Sequence, residues 1–197
     1  MNTYKKTVTS EEPCLVIRYD NDSESPRSWD NLGYFYSKSN KSKSPDGNDS
    51  DIYNIMIETG EEARNLTEHM ELMTKRINEE TSEKVLAIYP VVKYEHSSVN
   101  YSLGSKMGFD FSNNGFYIVT DKTRKVLGTP KKSFEKVIAQ ELKEYTAWVN
   151  GEVYSFTLYD MQGNIVDSCS GYYDIEDIRN ELPEEYKNER LSDYLKY

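Results

Sequence analysis

The chain has 197 residues, of which 37% are apolar and 29% charged, a polar composition that still allows one sizeable core and favours a single α+β domain over two. Its 24 Lys and Arg stand against 34 Asp and Glu, a formal net charge of −10, which argues against direct binding of phosphate backbones, because displacing counterions needs a cationic surface. No apolar run approaches the ~18 residues needed to cross a bilayer, Met1 to Ser10 has two lysines with no apolar stretch behind them, and two cysteines are too few for a disulfide scaffold. The expectation is an unprocessed, cytoplasmic chain without membrane contact, with Cys14 and Cys169 as free thiols in strands.

Cys14 to Tyr19 is a β-branched run that predicts a strand, closed by the turn and capping residues Asp20 to Pro26. Residues 37 to 50 contain no apolar side chain, which predicts an exposed, mobile loop. Asp51 to Ile57 predicts a strand, and Gly60-Glu-Glu leads into a helix with Ala63, Leu66, Met70, Met73 and Ile77 on one stripe. Val85 to Tyr94 is a long β-rich run in which Pro90 cannot donate to a ladder, so an edge or a bulge is expected there. Residues 101 to 111 read as a short strand or loop, and Asn113-Asn114-Gly115 signals a turn before the strand Phe116 to Thr120.

Ser133 is placed to cap a second helix with Phe134, Val137, Ile138, Leu142, Tyr145 and Val149 on its face, stopped near Asn150-Gly151. Val153 to Tyr159 and Asn164 to Ser168 flank Asp160-Met-Gln-Gly163, which predicts an antiparallel hairpin. Asp174 to Leu195 closes as short helices. No repeat is visible and strands do not alternate regularly with helices, so the expected architecture is an antiparallel sheet with two main helices packed on it, residues 1–171, followed by an acidic, tyrosine-rich helical tail, residues 172–197.

Chemistry-bearing patterns are few. Asp20, Asp22 and Glu24 alternate like the opening of a calcium loop, but Ser25 stands where glycine is required and Asn31 where glutamate is, so no EF-hand is expected. Asp20, Asp22 and Asp30 leave a looser oxygen site open. With two histidines, His69 and His96, zinc is not expected, and no motif ties Cys169 to His96 as a nucleophile pair. Gly104, Lys106 and Gly108 lack the rest of a phosphate-loop spacing. No catalytic residue, metal or cofactor is assigned.

Surface chemistry carries more. The tail holds eight acids, Asp174, Glu176, Asp177, Glu181, Glu184, Glu185, Glu189 and Asp193, against four bases. Among its interleaved tyrosines, Tyr186 and Tyr194 complete the candidate partner-binding set. Carboxylates so arranged can occupy a cationic cleft where phosphates would otherwise sit. A rival site is built from Asp20, Asp22, Arg27, Trp29, Asp30 and Asn31, in which Arg27 holds an anion and Trp29 stacks on a ring; the structural alternative is a packed Trp29 with Arg27 paired to a nearby carboxylate.

The segment Ser25-Pro-Arg-Ser-Trp-Asp-Asn-Leu-Gly33 resembles the SPRxWDNLG motif of a family of small uncharacterised proteins encoded by bacteriophages and other mobile elements of bacteria. Tyr94 to Ser98, Phe109 to Thr120, Glu144 to Tyr154 and Asp167 to Tyr173 look similar to the same family, over about residues 14 to 174, with departures at 37–50, at 98–108 and in the tail. The resemblance implies a genomic setting and no catalytic residue. Together with the acidity it leads to the expectation of a non-enzymatic inhibitor of a bacterial defence nuclease or effector, of anti-CRISPR or antirestriction type, acting in the host cytoplasm by stoichiometric binding. A small enzyme or ligand-binding protein built on the SPRSWDN segment is the alternative, and the oligomeric state is left open.

Overall fold

A computed structural model describes residues 14–38 and 43–196. The expectations for Met1 to Ser10, for the Cys14 thiol and for loop residues 39–42 lie outside what is described. Chain order runs β1 (Cys14–Tyr19), β2 (Tyr34–Ser37), α1 (Asp51–Glu62), α2 (Leu66–Glu80), β3 (Val85–Glu95), β4 (Val99–Leu103), β5 (Phe111–Thr120), α3 (Asp121–Leu127), α4 (Phe134–Val149), β6 (Tyr154–Tyr159), β7 (Ile165–Tyr172) and β8 (Leu195–Lys196). No described helix is long and apolar enough to cross a membrane. The fold class is α+β with predominantly antiparallel sheets. The described residues form two four-stranded sheets, one in each of two compact units: a central unit within Ser25–Thr146, and a terminal unit made of residues 14–24 and 147–196.

The central sheet has the order β2-β5-β3-β4, antiparallel throughout. Strand side chains alternate between faces. Tyr36, Phe116 and Ile118 therefore join Ile52, Ile55 and Met56 of α1 and Met73 and Ile77 of α2 in one core. From the opposite face Phe35 meets Tyr145 of α4 edge-on, ring centroids 5.7 Å apart, and Tyr101 at 5.2 Å. Pro90 accepts at its carbonyl from Gly104 N, 2.8 Å, just past the last β3–β4 pair, so its missing N–H points where β4 has ended. The ladder to β5 slips immediately after it, between Val91 and Lys93.

Three sequence expectations are corrected here. Asn113-Asn114-Gly115 lies inside β5 and is not a turn before it, Gly115 pairing with both Ser37 and Val91. Asp51 to Ile57 is helix, because Ile52, Ile55, Met56 and Thr59 form a buried stripe at helical spacing and Ser50 caps it, its Oγ accepting from Tyr53 N at 3.0 Å. Gly60 lies inside this helix; the His69 ring fills the space that a side chain there would need. Asn65 caps α2, and Ala63 belongs to the end of α1. The described parts of loop 37–50 are not loose. Ser44 is 4% exposed and Asp46 is tied to Arg27 and Phe35, so polar side chains anchor this segment without any apolar burial.

In the terminal unit the sheet order is β7-β6-β1-β8, antiparallel except for the β1–β8 pair. The expected hairpin is β6–β7, turning at Asp160 to Gly163, where Asp160 Oδ1 accepts from Gln162 N and Asn164 N. The tail forms 3-10 turns over Ile175–Asn180, Glu184–Tyr186 and Leu191–Tyr194. Ile178, Leu182, Tyr186 and Leu191 pack on Leu15, Ile17, Phe156 and Leu158, so the tail completes this unit's core.

Candidate functional site

Arg27 leaves the 3-10 turn Pro26–Ser28, which Ser25 caps through its side chain. The guanidinium is 4% exposed. Its Nε and Nη2 donate to Asp46 at 2.7 and 2.6 Å, the paired geometry that suits a carboxylate best. Nη2 also donates to Gly33 O at 2.7 Å, and Nη1 donates to Asn31 Oδ1 at 2.8 Å and to Glu141 at 3.3 Å. All five donors are engaged, and the cation lies 5.4 Å from the Tyr117 ring centroid. Burial opposes the Arg27 charge, but the bonds and charge of Asp46, aided by Tyr117, hold its pKa above the ordinary value.

Glu141 closes the network from α4. Its Oε1 accepts from Leu32 N at 2.9 Å, and its Oε2 accepts from the Tyr117 hydroxyl, which in turn accepts from Gly33 N at 2.9 Å. Desolvation raises the Glu141 carboxyl above its usual range, against the bonds from Tyr117, Leu32 and Arg27, and burial likewise raises the Tyr117 phenol. Two carboxylates thus share one guanidinium, with a phenol supplying the remaining proton donor. The arrangement is a clamp, and it leaves Arg27 no free donor for an anion.

Arg27, Trp29, Asp30 and Asn31 do border one cavity of about 590 Å³, whose other walls include Tyr34, Tyr36, Asp46, Lys122 and Val126. Trp29 is 50% exposed on it, so it is not a buried anchor. Asp20 and Asp22 belong to the terminal unit, where Asp20 Oδ1 accepts from Asp22 N at 3.3 Å and closes a turn. His96 stands 4.0 Å from Asp110. Among the described residues no group of three or more His, Cys, Asp or Glu side chains could hold a metal ion.

Sequence reasoning missed Asp46, Tyr117 and Glu141. A signal existed for Glu141, which shares the buried face of α4 with Ile138, Leu142 and Tyr145, a position where an acid needs a partner.

The charge has a second pattern. Residues 14–24 and 147–196 of the terminal unit hold 14 acids against 5 bases, net −9, whereas residues 25–146 hold 18 against 17, net −1. Along the tail the apolar side chains turn inward and the acids outward. Asp177, Glu181, Glu185, Glu189 and Asp193 are exposed and have no ion-pair partner among the described residues. Glu176 pairs with Arg179 and Glu184 with Lys187, each at 2.5 Å, and Asp174 caps the first tail turn through Glu176 N. Of the two tyrosines in the expected contact set, Tyr186 is buried in the core of this unit, and Tyr194 is half-buried and packs edge-on against it at 5.7 Å.

Comparison of the chain with family models, with curated proteins and with solved structures finds no match.

Proposed function

We propose that the chain is a non-enzymatic inhibitor that binds a bacterial defence nuclease or effector, of the kind targeted by anti-CRISPR or antirestriction proteins, through the acidic outer side of its terminal unit. The single observation behind this reading is the segregation of charge: nearly all of the excess of −10 lies in fewer than half of the residues, and the tail acids point away from the core. A surface of this kind repels nucleic acid and suits a cleft that normally receives it. The resemblance of Ser25 to Gly33 to phage and mobile-element proteins supplies the setting.

The test is capture from a bacterial host lysate with the full chain as bait. A basic nucleic-acid enzyme is expected in the eluate, released as salt rises, because exposed charge pairs are screened over about 10 Å at 0.1 M ionic strength. Glu181→Lys, Glu185→Lys and Glu189→Lys together should lower its retention while the fold is kept. Retention indifferent to both salt and these substitutions removes the electrostatic mechanism.

A further inference from the structure

The formal charge of the whole chain hides a local reversal in the central unit. From residue 122 to residue 136, Lys122, Arg124, Lys125, Lys131, Lys132 and Lys136 stand against one acid, Glu135, a net charge of +5 within a unit of net −1. All six cations are exposed. Lys122 lies 3.5 Å from Glu83, and Arg124, Lys131, Lys132 and Lys136 have no ion-pair partner among the described residues. α3 carries the first three cations. A capping box between Thr120 and Thr123 fixes its start, and Gly128, at φ +63°, closes its end, where Arg124 Nε donates to Thr129 O at 3.0 Å. The chain then passes Pro130 into the 3-10 turn Lys131–Ser133 and α4.

This segment borders a cavity. Lys122, Thr123 and Val126 line the same space of about 590 Å³ as Trp29 and Asp30. Trp29 is half-exposed, and its backbone is held in place. Asn31 Nδ2 donates to Trp29 O at 2.7 Å and to Pro26 O at 3.0 Å, while Asn31 Oδ1 accepts from the clamped Arg27 at 2.8 Å. An indole on a fixed turn with ammonium groups beside it supplies the two things a single strand needs, a stacking platform and a cationic track. The exposed Asp30 carboxylate, next to Trp29 in the chain, repels phosphates from that end of the cavity and leaves them the α3 end.

We infer that the central unit binds a single-stranded nucleic acid, with one base stacked on Trp29 in this cavity and the backbone running over Lys122 and along the cations towards Lys136. The whole-chain charge that argues against phosphate binding is carried almost wholly by the terminal unit, so it does not describe this segment. Other polyanions satisfy half of the arrangement. Carboxylates of an acidic protein would meet the lysines and offer Trp29 no ring. An anionic bilayer would need an apolar face to insert, and the large apolar side chains that α3 exposes are Val126 and Leu127 alone. The site is separate from the acidic surface of the terminal unit, so either reading can fail without the other.

Titration of the full chain into a labelled single strand of about twelve nucleotides, followed by fluorescence anisotropy, tests it. Affinity should fall with salt at a log–log slope of about −2 to −4, the range for three to six neutralised phosphates. Lys131→Gln with Lys132→Gln, both at exposed positions, should flatten that slope by about 1.4. Trp29→Ala should weaken single-strand binding roughly 5- to 150-fold, Trp29→Phe should keep most of it, and a duplex of the same length should show no loss with Trp29→Ala. No binding at about 50 mM salt overturns the inference, as does a slope that the lysine pair leaves unmoved or an equal Trp29→Ala loss on the duplex. Retention on anionic vesicles without binding of the oligonucleotide, or a mononucleotide that binds as tightly as the strand, overturns it too. Should Trp29→Ala fail to fold, Trp29→Phe and the lysine pair decide.

Discussion

The Arg27 guanidinium holds three stretches of chain at once: the Asn31–Gly33 turn, the Asp46 segment and α4 through Glu141. Its rigid fork is what allows five acceptors around one group. Taking it away leaves Asp46 and Glu141 facing each other with their compensation gone. Arg27→Ala should therefore cost ~3–5 kcal/mol in chemical denaturation, the scale for removing one member of a buried charged network. A cost near zero would show that the network closes without it. Glu141 adds a dependence on pH. Its folded pKa lies above the ordinary 4.5, chiefly through burial, so between the two values the folded state binds more protons than the unfolded one. The stability from this group is complete below about pH 4.5 and declines as pH rises through the folded value. Glu141→Gln removes that decline, so its stability relative to the parent should improve from pH ~4 to pH ~7. Parallel profiles would assign the titration elsewhere. Sequence could not supply this network, because Arg27 meets Asp46 across 19 positions and Glu141 across 114.

At the scale of elements, periodicity decided what could be read. α4 was legible because Phe134, Ile138, Leu142 and Tyr145 hold one stripe without a break, and the β6–β7 hairpin because Asp160 and Gly163 mark its turn. α1 was not, since Asp51 to Ile57 fits a two-residue and a helical period equally well and Gly60 looks like an interruption. A glycine inside a helix costs up to ~1 kcal/mol relative to alanine, and here it is retained against His69. A Cβ at Gly60 would sit 3.0 Å from His69 Cε1, and His69 Nε2 lies 2.9 Å from Met56 O, which holds the ring there. Gly60→Ala should accordingly stabilise by ~1 kcal/mol in a His69→Ala background and by clearly less in the parent. Equal gains in both backgrounds would remove His69 as the reason for the glycine.

For the whole molecule, the tail shows how composition misleads and charge does not. Counting acids marked 172–197 as surface, yet Ile178, Leu182, Tyr186 and Leu191 recur every four or five residues and carry it into the core. The acids between them remain outside. The two roles should separate by mutation: Ile178→Ala should cost ~2–5 kcal/mol of stability, the range for emptying a buried aliphatic site, while reversal of Glu181, Glu185 and Glu189 should leave the melting temperature nearly unchanged. Comparable losses from both would mean that the acids help hold the tail in place.

The pairing of β1 with β6 and β8 has a consequence for biosynthesis. A strand finished by residue 19 must wait for partners at 154–159 and 195–196. As the chain leaves the ribosome, the segment 25–146 is complete first, and β1 stays without its neighbours until more than a hundred further residues have emerged. Premature termination after the segment 25–146 and before the last strand therefore yields a product that has every residue of the Arg27 clamp and lacks the finished electronegative half.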